Sequence, residues 1–234
     1  MNVFLKLVPV ALAALLAACA SPSPAPVLLT LPPALVPAAA PAAPAPGAST
    51  PLLAVRRINI PEYLVSRRVR FRADAATLAE WPNTYWAERV EIGVSREFMS
   101  ALRAQLPGWS LCDTSCGDQL PALTLQVDLV PMDYLRSAQK LQARARITVS
   151  GGGTAEGKVL ETKELSVDIP ANADTAQAHA QTISTLIEKV AAEAAVAIRN
   201  AKPLGSTRRA RLAKPPSCLE VDAAHHLCHR DRLG

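Results

Sequence analysis

Aromatic side chains are scarce in this sequence, with three Trp, three Tyr and three Phe in 234 residues. Charge is sparse too, at 19% of positions, below the quarter usual for a globular chain. Only one long apolar run exists, which excludes a polytopic membrane protein. The 25 cations and 20 anions leave a net charge of +5, too mild to indicate nucleic acid. Catalytic signatures are missing: there is no G-x-S-x-G, no H-E-x-x-H and no Gly-rich phosphate loop ending in Gly-Lys. Glu62, Asp74, Glu80 and Glu88 are scattered, and His179 stands alone near a helix start, where a solvated side chain is expected. These residues predict neither an enzyme nor a bound cofactor. What fills the chain instead is Ala and Pro, with 20 prolines and 50% hydrophobic residues.

Residues 1–18 read as a secretory signal: Lys6 precedes an apolar stretch that ends in small residues, too short to span a membrane. The run closes on Leu16-Ala17-Ala18-Cys19, which resembles a bacterial lipobox. Cys19 is then the lipid attachment site and the first residue of the mature chain. Each buried acyl methylene contributes about 0.8 kcal/mol, so two or more chains anchor the protein almost permanently. By the sorting rules that this resemblance implies, Ala20 in the second position favours the outer membrane. The compartment is oxidising.

Residues 19–51 form a Pro/Ala-rich linker. No charge occurs from Ala20 to Val55, and ten prolines lie between Pro22 and Pro51. Such a stretch favours polyproline II and would reach roughly 100 Å if fully extended. Val27-Leu28-Leu29-Thr30-Leu31 interrupts it as a short strand that could dock on the domain.

Residues 52–202 carry the folded domain. Ile58 and Ile60 alternate with polar neighbours ahead of Pro61, and Val69 and Phe71 alternate within Arg-rich flanks, so each pair predicts a strand. Val90, Val94, Phe98, Leu102 and Leu106 make a helix face stopped by Pro107-Gly108, with Gly93 weakening its first turn. Leu123 to Val130, Leu141 to Val149 and a run to about Ile169 read as three strands, the last two joined by the turn from Gly151 to Gly157. Asp174-Thr175-Ala176-Gln177 reads as a capping box for a final helix that ends near Lys202-Pro203. The order implies an α+β domain: a mainly antiparallel sheet with two main helices packed on one face. Residues 203–234 are a basic tail containing Cys and His.

Beyond Cys19, four cysteines remain: Cys112, Cys116, Cys218 and Cys228. Three pairings are open, and proximity in sequence favours Cys112–Cys116 with Cys218–Cys228. The alternative is a zinc site, because Cys218, His225, His226, Cys228 and His229 supply enough soft ligands. Arg208, Arg209, Arg211 and Lys214 form a basic run that reads as a solvated face or a contact for lipid phosphates, and Arg67, Arg68, Arg70 and Arg72 give a second candidate patch.

Three segments, in order, resemble the PqiC-like (YmbA-type) ABC-type transport auxiliary lipoproteins. Asn59-Ile60-Pro61-Glu62-Tyr63-Leu64 resembles that family's "(V/I)-P-(E/D)-Y-L" strand end. Tyr85-Trp86-Ala87-Glu88 resembles its "W-A-E-P-L" helix start, with Arg89 in place of the Pro. Ala104-Gln105-Leu106-Pro107-Gly108-Trp109 resembles its helix stop. The family's Tyr-Tyr-x-Leu-Pro is replaced by Leu28-Leu29-Thr30-Leu31-Pro32, and the tail has no counterpart in it. The resemblance implies a non-enzymatic lipoprotein of the outer membrane that docks a periplasmic MCE protein of an ABC-type lipid transport system. It also implies a homo-oligomer around the MCE tube. A different class of function, a periplasmic lipid carrier or chaperone with its own apolar pocket, requires a large cavity between sheet and helices. The expected partner surface is Arg67 and Arg68 beside Trp81, Tyr85 and Trp86. The alternative places both Trp side chains in the core.

Overall fold

The computed structural model describes residues 24–33, 50–113, 116–152 and 157–201. Cys19, Cys218, Cys228, the histidine cluster and the basic run lie outside the described residues.

The alternating runs become the longest strands. In β6 (Leu123–Leu135), the side chains of Leu123, Leu125, Val127 and Leu129 are all buried, while Thr124, Gln126 and Asp128 are half-buried on the other face. β7 (Lys140–Gly151) and β8 (Val159–Pro170) follow, each paired antiparallel with its predecessor over eleven residue pairs. β6 runs past Val130 because a bulge resets the register from Leu129 opposite Ala145 to Met132 opposite Ala143.

Five shorter strands complete the sheet among the described residues: β1 (Val27–Leu29), β2 (Leu52–Val55), β3 (Arg68–Arg72), β4 (Leu78–Trp86) and β5 (Ser110–Cys112). On the side of β6 away from β7, β2 pairs with its start at Leu123–Leu125, and β3 meets its end at Leu135. The sheet therefore forks, with β5 outside β2 at one end and β4 then β1 outside β3 at the other. Pairing is mixed. Four of the seven strand pairings are parallel, but none of these exceeds three residue pairs. The α+β assignment stands, and the long ladders are the antiparallel ones.

α1 (Val90–Gln105) and α2 (Ala176–Asn200) pack on one another, and α2 also lies against β6, β7 and β8. The stripe predicted on α2 is fully inside: Ile183, Leu186, Ile187, Val190, Ala191, Ala194 and Ile198 are each at most 1% exposed. Removing one large side chain from such a face costs about 2–5 kcal/mol.

Local readings shift in four places. The strand expected at Ile58 and Ile60 lies earlier, at Leu52–Val55; both isoleucines are buried, but Asn59 makes only an isolated bridge to Asp128. The cap of α2 is Thr175, whose Oγ1 accepts from the Ala178 amide at 3.1 Å, while Asp174 pairs with Arg136. His179 is not solvated: it is 5% exposed, inside the core. The expected linker is not continuous, because residues 24–33 join the domain. Leu29 and Leu31 are buried, and the Pro32 carbonyl accepts from Ser184 Oγ at 2.8 Å. Gly93 explains the fit, since a Cβ there would come within 3.3 Å of Leu31 Cδ1.

Candidate functional site

The region that gathers most of the predicted site residues is the β1–β4–β3 edge. β1 pairs parallel with the end of β4, setting Val27 opposite Thr84, Leu28 opposite Tyr85 and Leu29 opposite Trp86. β4 cannot be a regular strand, because Trp81 and Trp86 are an odd number of residues apart yet both buried. Asn83 resolves this with a left-handed backbone, φ 49°. Its side-chain amide then donates to the carbonyls of Pro24 at 2.7 Å and Ala25 at 3.0 Å, tying the N-terminal segment to the bulge. Pro82-Asn83 was the sequence signal for this irregularity, since Asn tolerates that conformation better than most residues.

The predicted partner surface is thus divided. Trp81 and Trp86 are 7% and 4% exposed, so neither forms a surface contact. They surround His179. The Trp81 ring stacks on the imidazole at 5.4 Å with a 14° tilt, while Tyr134 lies at 4.6 Å and Trp86 at 6.2 Å. Phe71 meets Trp81 edge-on at 4.6 Å. The Arg136 guanidinium covers Phe71 at 4.8 Å and is held by Asp174 at 2.9 Å. Burial in this aromatic cage pushes the His179 pKa down to about 3, which keeps the ring neutral. Its Nδ1 and the Tyr134 hydroxyl have no hydrogen-bond partner. Burial also raises the Tyr134 pKa, with the Asp174 charge adding to it. The cavity touching His179 and Tyr134 amounts to about 10 Å³, the space of roughly one water.

Outside this cage, Arg67, Arg68 and Tyr85 stay at the surface. Together with Pro26, Leu28, Ser66, Arg70, Glu80 and Asn83 they line an open groove of about 700 Å³. Arg67 donates to the Ala87 carbonyl at 3.1 Å. Arg68 lies 5.3 Å above the Tyr85 ring and pairs with Glu80 at 3.2 Å. Arg70 reaches the other Glu80 oxygen at 3.3 Å and the Tyr63 carbonyl at 2.6 Å. Below them, Asp133 accepts from the Tyr63 hydroxyl at 2.8 Å and from Arg72 at 3.1 Å. Burial is the main cause of a raised Tyr63 pKa, and the Asp133 hydrogen bond adds to it.

A second basic groove, about 410 Å³, runs along α1 and includes Arg57, Arg96 and Arg103 around the exposed Ile92. Neither groove assembles a nucleophile with a base. Among the described residues, no group of three or more His, Cys, Asp or Glu side chains comes together to hold a metal. The Cys112 and Cys116 sulfurs are bonded, at 1.94 Å, in the segment after β5 begins. No helix among the described residues is long and apolar enough to cross a membrane.

These features define an α+β domain with a closed core, whose own N-terminal segment completes one sheet edge beneath a basic groove. The chain belongs to the family of ABC-type transport auxiliary lipoprotein components, whose model matches residues 31–195. As a member it is a membrane-anchored, periplasm-facing lipoprotein of a transport system, in a family not known for enzymes. Its fold is similar to that of an uncharacterized protein of known crystal structure, at 15% identity and a TM-score of 0.59, over 75% of this chain and 99% of that one. It is also similar to a Xanthomonas campestris protein, at 15% identity and a TM-score of 0.50, over 75% and 96% of the two chains. No curated protein matches the sequence.

Proposed function

We propose that this lipoprotein is anchored by Cys19 at the outer membrane and docks the periplasmic MCE component of an ABC-type lipid transport system. Family membership and the three ordered segments at Asn59–Leu64, Tyr85–Glu88 and Ala104–Trp109 support that setting. The observation that carries docking over the carrier alternative is the closed core. A pocket for a drug-sized ligand occupies roughly 300–1,000 Å³, whereas the cavity between sheet and helices holds about one water, and the two grooves of that size, about 700 and 410 Å³, lie open at the surface. A carrier must open this core at the cost of its best-packed residues. A holder needs only its surface, and several copies around a symmetric tube multiply weak contacts through effective concentration.

The test is co-purification from gently solubilised membranes. The tagged chain should bring down an MCE protein, cross-link into a homo-oligomer, and carry no tightly held lipid besides its covalent anchor. One phospholipid per chain, retained by the anchor-free Cys19→Ser protein through gel filtration, would establish the carrier instead. Density-gradient fractionation places the protein at one membrane or the other.

A further inference from the structure

The chain between anchor and fold is short. Building on the lipid attachment proposed at Cys19, the lipid-bearing residue is only five residues before Pro24, whose carbonyl is already held by Asn83. Five residues span at most about 18 Å. A domain of this size is about 40 Å across. The tether is therefore shorter than half the domain, and it leaves from one place. Whatever the domain does, the surface around Pro24, Ala25 and Asn83 stays within reach of the bilayer that holds the anchor, and the opposite side does not.

That surface has the composition of a membrane contact. Leu28, 61% exposed, points into the groove opposite Tyr85, while its strand neighbours Val27 and Leu29 face the other side of the sheet. Beside Leu28 stand Arg67, Arg68 and Arg70, against the single carboxylate of Glu80, around the same open groove. Guanidinium forks suit phosphate oxygens, and the exposed leucine suits the interfacial zone beneath the headgroups. From sequence these arginines read both as the seat of a protein partner and as a patch for lipid phosphates. With both Trp side chains withdrawn into the core, its remaining chemistry and its place at the tether fit lipid better.

We propose that the β1-edge groove rests on the anchoring bilayer, with Leu28 in the interface and Arg67 and Arg68 on anionic headgroup phosphates. The contact fixes which way the domain faces. Each cation near an anionic surface is worth roughly a five-fold change in partition.

The experiment uses the full lipidated protein in vesicles containing a photoactivatable phospholipid, made with phosphatidylcholine alone or with added phosphatidylglycerol. Intact mass first establishes that Cys19 carries lipid; an unlipidated chain removes the anchor reading itself and leaves the groove to be judged by the anchor-free arm below. Cross-links should concentrate at Leu28 and residues 66–68 and rise with phosphatidylglycerol. A flexible Gly/Ser insert between Cys19 and Pro24 should leave them in place, because the groove itself binds. In the anchor-free Cys19→Ser protein, Arg67→Gln with Arg68→Gln should lower partition onto phosphatidylglycerol vesicles roughly 25-fold. Cross-links spread evenly, or lost on lengthening the tether, overturn the proposal. So does a double variant that sheds the MCE protein while keeping its lipid cross-links and partition.

Discussion

Lowering the pH from about 7.5 to about 5 should weaken this fold through one buried side chain. His179 titrates at 6.5 in an unfolded chain and at about 3 in the core. Its folded pKa is depressed, and for a base this means the unfolded state binds the extra proton. Stability is therefore full above 6.5 and falls as the pH drops toward 3. Over the stated range the loss is about 2 kcal/mol, or about 4–8 °C in melting temperature for a domain of this size. Asp74 and Asp168 also contribute, but their pKa values are lowered from 3.8, so what they add is lost only under stronger acid. The comparison protein is His179→Phe, which keeps a ring against Trp81 and cannot titrate. Urea unfolding followed by Trp fluorescence at the two pH values gives both stabilities. Phe is larger, so its absolute stability can fall by about 1–3 kcal/mol; only the pH difference is read. The tail histidines are common to both proteins and cancel. If the two proteins lose stability in parallel, the neutral, buried imidazole is wrong.

Thr175→Ala removes the hydroxyl that caps α2 and should cost about 1 kcal/mol in a urea titration. Trp86→Ala should cost about 3–5 kcal/mol, whereas Arg67→Glu with Arg68→Glu, which loses only exposed contacts with the Ala87 carbonyl and Glu80, should cost at most about 2 kcal/mol by the same measure. Cys112→Ser with Cys116→Ser opens a very short loop and should cost at most about 2 kcal/mol, with the fold intact by circular dichroism.

The long elements were legible because their periodicity is strong. The alternation from Leu123 and from Leu141, and the stripe on α2, each commit many apolar side chains to one face. β6 looked shorter than it is because Pro131 signals a strand end, while the bulge at that point lets pairing resume. β4 was hidden for a related reason: the left-handed turn at Asn83 breaks its alternation, so Trp81 to Trp86 resembles a loop. β2 and β5 are too short to show a period, and they exist as strands because β6 offers them an edge. His179 misled because one polar residue near a helix start carries no local sign of burial. Its environment comes from Phe71, Trp81 and Tyr134, each from a different strand. At the site, the cations were visible in sequence, but the tether that gives them a direction was not. That required seeing Pro24 and Ala25 held by Asn83.

Because residues 24–33 are built into the sheet, the order of synthesis matters to assembly. This segment is made first, yet its partners come late: β4 is more than fifty residues downstream, and Ser184, which binds the Pro32 carbonyl, is 152 residues away. Leu31 has no notch to enter until α1 exists, and Pro32 has no donor until α2 does. Leu31 and Pro32, at the far end of the segment, are thus the last to be locked. Completion of the final helix therefore closes the N-terminal segment onto the fold.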